Sequence, residues 1–327
     1  MYESPEIVLS IIIVSYNTAH HLRRCLLSLE AFAPSTVHEL IVIDNASLDG
    51  SCGMVENAFP RCRLIRSNKN EGYGVAINDA ARHAKGQYLM FLNPDIEVSP
   101  GSLDNLLAFA KSNPRAGLVG PRLLFSDGTP QASARRRLSA VLLLLETSRL
   151  HLLLPLRLQG RLMRGVYDAQ TKTGKVDWIS GACHLIPRSV WEEVGVLTEE
   201  TFCGFDDYDY CYRVWKHGWD VWLNAEATMT HHCSVAVRDR WTSWEVEQVA
   251  IHNSYIILSS HWPSWRIKMY AIAELVSYGS EYLRHAFVPR QGVGNVEEDY
   301  GERVKRRIKL TWSLLIGRQK PIRRFQP

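Results

Sequence analysis

The stretch QYLMFLNPDIEV (87–98) starts as a buried strand and then places a carboxylate, Asp95, directly after a proline. Carboxylate oxygens are hard ligands, so a lone carboxylate at such a strand tip is suited to hold Mg²⁺ or Mn²⁺ against a diphosphate. Asn-Pro-Asp is also a common turn composition, which gives the simpler alternative. The sequence therefore predicts that Asp95 either binds a metal ion or closes a turn.

Three further predicted strands also end in polar side chains. Ser15 and Asn17 follow the first strand, Asp44 and Asn45 follow the second, and residues 67–68 follow the third. In an open parallel sheet, ligands bind beyond the carboxyl ends of the strands. One polar tip is commonly just a turn former, but four together favour a ligand. The carboxylate of Asp44, which ends the strand LIVID, could accept a base N–H or a ribose hydroxyl, or it could cap the next turn.

A glycine-containing turn, NKNEGYGVAIN (68–78), precedes a predicted helix. Gly72 and Gly74 would let the backbone approach a ligand closely, and the helix N-terminus offers unpaired N–H groups to a phosphate. The turn matches neither G-x-G-x-x-G nor the P-loop signature, so dinucleotide binding and ATP hydrolysis receive little support.

A second acidic cluster lies in FDDYDYCYR (205–213). On a helix, Asp206 and Asp209 share a face and Asp207 points another way. One carboxylate could serve as a general base while its neighbours cap the helix or pair with Arg213. Alternatively, the acids only complement the helix macrodipole.

Two adjacent histidines, His231 and His232, close a later predicted strand and are either a metal ligand pair or structural residues. The seven cysteines are odd in number and contain no C-x-x-C pair. This pattern predicts reduced thiols in a cytoplasmic protein rather than a disulfide framework or a zinc site.

The elements that must position these residues alternate in the first half of the chain, which predicts βαβ units. Strands are predicted at 7–16, 39–47, 62–68 and 87–95, and helices at 21–32, 50–58 and 73–85. The second half is less regular, with strands at 176–188 and 220–232 and helices at 206–219, 241–261 and 263–286. We expect an α/β fold, with a Rossmann-like, mostly parallel sheet flanked by helices in residues 1–240 and a helical C-terminal region in 241–327.

The overall composition is that of a globular protein, with 46% hydrophobic residues, 22% charged residues and a net charge of +4 over 327 residues. This charge is too small to indicate nucleic-acid binding. The N-terminus lacks the pattern of a signal peptide, and no apolar run approaches the ~18 residues needed to span a bilayer. The basic segment 303–325 could lie on an anionic leaflet, as could 138–158; a solvated tail or a core-docking helix is the alternative.

Taken in order, the motifs resemble those of the inverting glycosyltransferases of family 2, nearest the rhamnosyltransferase-like branch, which have the GT-A fold. The resemblance runs from about residue 7 to residue 238. It rests on IIIVSYN, VIDNASLDGS, NEGYGVAIN, FLNPD, WISGACHLIPR, DDYDYCYRVWKHGW and the HH pair.

The resemblance implies a role for each matched residue. The donor nucleotide sugar would be bound by Ser15, Asn17, Asp44, Asn45, Asn70, Gly72, Asn78 and Asn93. A divalent metal, Mg²⁺ or Mn²⁺, would be held by Asp95 with His231 or His232, and Asp207 would be the catalytic base. Residues that bind or support the acceptor would be Trp178, Gly181, Asp206 and Arg213. Three positions depart from the family pattern, because Asn93 stands where the first Asp of D-x-D is frequent, Asp206 replaces a Glu and Gly204 stands where an aromatic residue is common.

The implied reaction transfers a sugar from a nucleotide-diphosphate sugar to a hydroxyl of a glycan or lipid-linked glycan, in polysaccharide or cell-envelope biosynthesis. dTDP-rhamnose is the expected donor and a UDP-sugar the alternative. The metal would neutralise the departing diphosphate while Asp207 takes the acceptor proton. Such a protein would be cytoplasmic, with contact to the inner face of the membrane through its C-terminal tail. A nucleotidyltransferase and a catalytically inactive glycan-binding relative are the competing hypotheses.

Overall fold

A computed structural model describes residues 6–155, 158–159, 162, 170–233, 242–287, 300–318, 320 and 322 of the chain. It divides into two units. The sheet unit combines Met1–Arg136 with Arg164–Arg240, and the helical unit combines Arg137–Met163 with Trp241–Pro327. The stretch 138–158 thus belongs to the helical unit. The sequence-based boundary between residues 240 and 241 lies outside the described residues.

The sheet unit is built on a nine-stranded mixed sheet. Its strands are β1 (Leu9–Ser15), β2 (His38–Asp44), β3 (Arg63–Arg66), β4 (Tyr88–Leu92), β5 (Ile96–Val98), β6 (Ala116–Leu124), β8 (Gly174–Val176), β10 (Cys183–Pro187) and β11 (Asp220–His231). They are arranged in the order β3-β2-β1-β4-β10-β6-β11-β5, with β8 paired to β11. A separate two-stranded sheet pairs β7 (Ala134–Arg135) with β9 (Trp178–Ile179).

The parallel part of the sheet comprises β3, β2, β1 and β4, as the alternating signals predict. All seven residues of β1 are buried, because helices cover both faces of the sheet. Beyond β4 the sheet becomes mixed, since β10 runs antiparallel to both β4 and β6. The predicted α/β fold with flanking helices is confirmed.

In the part of the chain that the structure describes, six helices flank this sheet. They are α1 (Ala19–Ala31), α2 (Ser51–Ala58), α3 (Tyr73–His83), α4 (Ser102–Ser112), α6 (Arg188–Val194) and α7 (Asp206–Lys216). One apolar core contains residues of α1 and α4, and a second contains residues of α3, α6 and α7.

The segment 176–188, predicted as one strand, is broken at residues 180–182 into β9 and β10. The break brings Gly181 against α7, where a Cβ on this residue would lie 3.1 Å from the Cβ of Asp207. A Cβ here would be in tighter contact than usual, so glycine favours the approach, and its partner Asp207 lies 26 residues further along the chain.

The helical unit contains α5 (Ala140–Thr147), α8 (Ser243–His261), α9 (Ser264–Phe287) and α10 (Tyr300–Leu315), with a 3₁₀ turn at Leu150–Leu153. Leu310 of α10 is buried, and Leu314 and Leu315 pack on the same core. Much of the apolar face of the basic tail is therefore used inside its own unit. Within the described residues, no helix combines the length and apolar character needed to cross a membrane.

Candidate active site

The carboxyl ends of the parallel strands meet at one edge of the sheet. Ser15 and Asp44 pair in register at the ends of β1 and β2, and Asn93 follows β4 beside them. Because β10 is antiparallel, the residues before it reach the same edge, where the Asn93 N–H donates to the carbonyl oxygen of Ala182 at 2.9 Å. The broken segment 180–182 and the Asn-Pro-Asp turn are thereby joined.

Strand register also brings His231 to this edge. It lies opposite Ile96 in the antiparallel pair of β11 and β5, next to Asp95. The His231 Nε2 faces Asp95 Oδ1 at 3.4 Å, which is too long for a good hydrogen bond. The other ring nitrogen, Nδ1, lies 2.7 Å from Gln131 Oε1. With Nδ1 engaged by Gln131, Nε2 is the ring nitrogen that faces the carboxylate.

The two groups shift each other's pKa. Burial alone would raise the pKa of Asp95, but the contact with His231 outweighs burial and the net pKa is lowered. Burial alone would lower the pKa of His231, but Asp95 and then Cys233 raise it to about 9. The raised pKa reports a strongly negative potential at this imidazole, the property that also attracts a cation.

His232 is held differently from its neighbour. Its Nε2 lies 2.7 Å from Glu97 Oε1, and its Nδ1 lies 2.7 Å from Ser126 Oγ. Both ring nitrogens are therefore engaged within the protein. Of the two predicted candidates, His231 is the one with a nitrogen facing Asp95.

Asp95 and His231 fit a divalent metal as a two-ligand site. Two atoms each about 2.1 Å from one ion stand roughly 3.0–3.4 Å apart, which agrees with the observed 3.4 Å. The Nε2 atom is buried without a hydrogen-bond partner among the described residues. No group of three or more His, Cys, Asp or Glu suited to a metal occurs in the described ranges. A metal here would need further oxygen ligands, such as those of a substrate diphosphate.

Asp44 has the capping role that the sequence predicts as one alternative, and its second oxygen has no such partner in the described part of the chain. Its Oδ1 accepts the backbone N–H of Ser47 at 2.8 Å and so caps the turn. Its Oδ2 is buried without a hydrogen-bond partner among the described residues. Burial and then Asp44 raise the pKa of the nearby Cys52 thiol to about 11. One carboxylate oxygen is thus left for a ligand.

The loops after β1 and β2 hold one another. Asn17 has a φ of 52° and its Oδ1 accepts the N–H of Leu48 at 2.7 Å. Asp49, which the sequence did not single out, accepts the N–H of Ala19 at 2.7 Å and caps the start of α1. Ser15 is fully buried, with its Oγ 3.1 Å from Thr18 Oγ1. These contacts hold the loops after β1 and β2 together, and Asp44 lies at the end of β2.

The glycine turn before α3 is organised by side-chain amides. Asn45 donates to Asn70 Oδ1 at 2.7 Å, and that oxygen also accepts the N–H of Gly72 at 3.0 Å. Gly72 has a φ of 93°, and a Cβ there would overlap the carbonyl oxygen of Phe202. Gly74 would meet the carbonyl of Thr198 in the same way. At both glycines the missing side chain therefore leaves room for the chain's own backbone.

Asn78 is buried on α3 and holds the segment that follows α6. Its amide donates to the carbonyl of Leu197 and to Glu199 Oε1, both at 2.9 Å, and its Oδ1 accepts the N–H of Leu197 at 2.9 Å. The side chain is fully used in this way, so the structure gives it a supporting position.

The paired acids of α7 lie beside the broken segment 180–182. Asp207 Oδ2 accepts the N–H of Gly181 at 3.0 Å, and its Oδ1 accepts the N–H of Tyr208 at 2.8 Å. Asp206 is buried, and burial followed by the charge of Asp207 raises its pKa to about 7. The segment 180–182 thus contacts both Asp207 and the Asn-Pro-Asp turn, through Gly181 and Ala182.

Trp178 borders the same acids. Its ring stacks on Phe205 at 6.3 Å and meets Tyr208 edge-on at 5.4 Å, with the guanidinium of Arg135 5.5 Å from its centre. The indole Nε1 is buried without a hydrogen-bond partner in the described structure. The aromatic cluster could contact a sugar ring.

Arg213 supports α7 from inside the fold. Its guanidinium donates to Asp209 Oδ2 at 2.8 Å and to the carbonyls of Val194 and Val196 at 3.1 and 2.8 Å. These bonds anchor the acidic helix to the end of α6. Its position is that of a supporting residue.

Several of these positions were missed by the sequence analysis. Gln131 orients His231 from 100 residues away, so no local pattern could identify it. Asp49 carried a local signal, since Asp followed by Gly-Ser before a helix is typical of turn and cap residues.

Comparison with known proteins gives a consistent result. The model of the family described as "Glycosyl transferase family 2" matches residues 10–195. The chain is 31% identical over 239 residues to the N-acetylglucosaminyl-diphospho-decaprenol L-rhamnosyltransferase of Mycobacterium tuberculosis, covering 69% of this chain and 76% of that protein. It is 26% identical over 218 residues to a low-salt glycan biosynthesis hexosyltransferase of Haloferax volcanii, covering 63% of this chain and 61% of that protein.

Solved structures resemble this chain in fold. A mannosyltransferase from Pyrobaculum calidifontis in complex with GDP-Man and Mn²⁺ matches with a TM-score of 0.57 and 15% identity, covering 94% of this chain and 80% of that one. GalNAc-T7 with UDP, GalNAc and Mn²⁺ matches with a TM-score of 0.60 and 16% identity. The match covers 98% of this chain and 59% of that one. The expected GT-A fold is confirmed by these neighbours.

The buried Asp206 predicts a pH-dependent effect of the Asp206→Asn variant. The pKa of Asp206 is raised in the folded state, so folding stability from its neutral form is present at low pH and lost as pH rises through about 7. The amide cannot ionise, so the variant should gain free energy of unfolding relative to wild type between about pH 5 and pH 8, by up to ~3 kcal/mol. Urea unfolding of both proteins at the two pH values measures this gain. An identical stability difference at both pH values would contradict the assignment.

Proposed function

The chain belongs to glycosyl transferase family 2, and we propose that it is an inverting, metal-assisted enzyme that moves rhamnose from dTDP-rhamnose to a glycan or lipid-linked glycan hydroxyl. The observation that carries the proposal is the 3.4 Å pair of Asp95 and His231, buried at the edge where Asp44 keeps an unpaired oxygen. A metal-binding pair next to a free carboxylate oxygen suits a nucleoside diphosphate.

At the donor end, we assign Asp44 Oδ2 to the nucleoside, as the acceptor of a base N–H or a ribose hydroxyl. Ser15 and Asn17 support it through the loops after β1 and β2. Asn45, Asn70, Gly72 and Asn78 shape the turn before α3 and the segment packed on it. Asn93 is half-buried beside Asp95 and would face the diphosphate.

At the metal site, Asp95 and His231 would hold Mg²⁺ or Mn²⁺. Such an ion, when bound, supplies positive charge that stabilises the departing diphosphate. Gln131 orients the imidazole of His231 through the Nδ1 atom of that ring. The Nε2 atom of His232 contacts Glu97 instead. The Mn²⁺ in the two solved neighbours is consistent with this assignment but belongs to those proteins.

At the acceptor end, we assign Asp207 as the general base. The N–H groups of Gly181 and Tyr208 orient its carboxylate, which would accept the proton of the attacking hydroxyl. Asp206, with its pKa raised to about 7, can remain neutral beside it and so limit repulsion between the two acids. Attack from the face opposite the departing diphosphate inverts the anomeric carbon.

The substrates are inferred from the relatives. The Mycobacterium tuberculosis relative is named as an L-rhamnosyltransferase acting on N-acetylglucosaminyl-diphospho-decaprenol, so a deoxyhexose donor and a lipid-linked acceptor are the first choices. The aromatic cluster around Trp178 lies beside Asp207 and suits the ring of an acceptor sugar. Work in cell-envelope polysaccharide synthesis, at a membrane surface, would follow.

Thermal melting with nucleotides tests this function. dTDP with Mn²⁺ should raise the melting temperature by roughly 2–5 °C near 100 times its dissociation constant, and Asp95→Ala should abolish the metal-dependent part. Asp79→Ala removes an exposed carboxylate that pairs with Arg82, and this control should respond like wild type. UDP and GDP are measured alongside, and a shift by one of them in place of dTDP replaces the donor assignment.

The same experiment can overturn the proposal. If no nucleotide shifts the melting temperature with or without Mn²⁺, the nucleotide-sugar function is wrong. If Asp95→Ala responds as fully as wild type, Asp95 is only a turn residue.

Asp207→Asn should separate catalysis from donor binding. The amide keeps an oxygen for the N–H of Gly181 but cannot take a proton, so turnover should fall by roughly 10²–10⁴. Nucleotide affinity should stay within about twofold, since this residue does not hold the donor. One measurement is kcat for release of the nucleoside diphosphate, with the nucleotide sugar whose nucleotide shifts the melting temperature as the donor. The other is nucleotide affinity by calorimetry. Unchanged turnover would remove Asp207 from catalysis.

A further inference from the structure

The helical unit exposes an unusual amount of apolar surface. In the described part of the chain, 22 large apolar side chains are exposed, and 15 of them belong to this unit, which has about a third of the residues. Scattered exposed apolar residues are normal, but a concentration of this kind marks an interaction surface.

The longest part of this surface is a stripe on α9. It consists of Trp265, Met269, Ile272, Val276 and Leu283, each between 50% and 62% exposed. Their spacing keeps them on one face of the helix, and together they extend over about 27 Å. Away from the stripe, Ala271 of the same helix packs in the core of the unit.

The charges of α9 are arranged around this stripe. Its two acids point inward, where Glu274 accepts the hydroxyl of Tyr255 at 2.8 Å and Glu281 lies 3.5 Å from Arg307. The exposed charges of the helix are basic, Lys268 near one end and Arg284 near the other. An apolar face flanked by exposed bases is typical of helices that lie on membrane surfaces.

A second apolar group in the same unit lies in the 3₁₀ turn Leu150–Leu153 after α5. Leu153 is 82% exposed, and Leu150 and Leu152 are more than half exposed. The hydroxyl of Thr147, at the end of α5, bonds to that of Ser277 at 2.9 Å, one residue from the stripe. The turn therefore begins close to α9.

The net positive charge of the helical unit favours an anionic partner. Residues 137–163 and 241–327 contain 17 Lys and Arg against 9 Asp and Glu, whereas the sheet unit contains 21 against 25. Two helical units would repel each other, which disfavours a second copy of the chain as the partner. Apolar surface combined with excess positive charge suits an anionic lipid bilayer.

We propose that the stripe of α9, with the 3₁₀ turn after α5, docks the protein on an anionic bilayer. The stripe would lie along the bilayer plane with its apolar side chains at the headgroup boundary. The basic tail helix α10 offers less apolar surface for insertion than α9, because Leu310 is buried and Leu314 and Leu315 pack on the core of the unit. The inference concerns the helical unit alone and stands independently of sugar transfer.

Vesicle sedimentation with the full-length protein tests the proposal. Wild type should bind vesicles of phosphatidylcholine with about one third phosphatidylglycerol, and should bind pure phosphatidylcholine much more weakly. Binding should weaken as salt is added. Ile272→Asp should reduce binding to the anionic vesicles by roughly tenfold or more, because a carboxylate replaces an inserted apolar side chain.

Leu27→Asp is the matched control, since Leu27 is 46% exposed on helix α1 of the sheet unit and Ile272 is 52% exposed. It should bind vesicles like wild type. Circular dichroism verifies that both variants fold. The proposal is overturned if wild type ignores anionic vesicles, or if Ile272→Asp binds as well as wild type. It is also overturned if light scattering shows a wild-type dimer that Ile272→Asp dissociates, because the stripe would then be an interface between copies.

Discussion

The register between β5 and β11 is the constraint on which the candidate site depends. His231 stands opposite Ile96, and Met229 stands opposite Val98 two residues away, so buried apolar side chains fix the alignment. Because side chains alternate along a strand, a shift by one residue would turn His231 to the other face and remove it from Asp95. The core of the sheet thus determines which histidine meets the carboxylate of Asp95.

At this edge of the sheet, some buried polar atoms have no good hydrogen-bond partner in the described structure, whereas other atoms of the same side chains have one. One oxygen of Asp44 caps a turn and the other is buried without a partner among the described residues. One nitrogen of His231 is held by Gln131 and the other faces Asp95 at a distance beyond good hydrogen bonding. Buried polar groups are normally paired, so unpaired atoms at one sheet edge indicate a place where a ligand completes the structure.

Much of the fold was predictable because local sequence determines it. The continuous apolar runs predict β1, β2 and β4, and parallel pairing places their polar ends together. The break at Gly181 was not predictable, since it depends on contact with Asp207 on a distant helix. The choice between His231 and His232 depends on strand register and on side chains about a hundred residues away. The contact of Gly72 with the backbone of Phe202 was also not predictable, since Phe202 lies far away in the chain.

Metal binding by histidine variants tests the central claim most directly. Mn²⁺ affinity is measured by titration in the presence of the nucleotide that the protein binds, for wild type, His231→Ala and His232→Ala, with folding verified for each. The account predicts that His231→Ala weakens Mn²⁺ binding by at least roughly tenfold, because a ligand is lost, and that His232→Ala stays within about threefold of wild type. Equal losses in both variants, or the larger loss in His232→Ala, would contradict the pairing of Asp95 with His231 as the metal site.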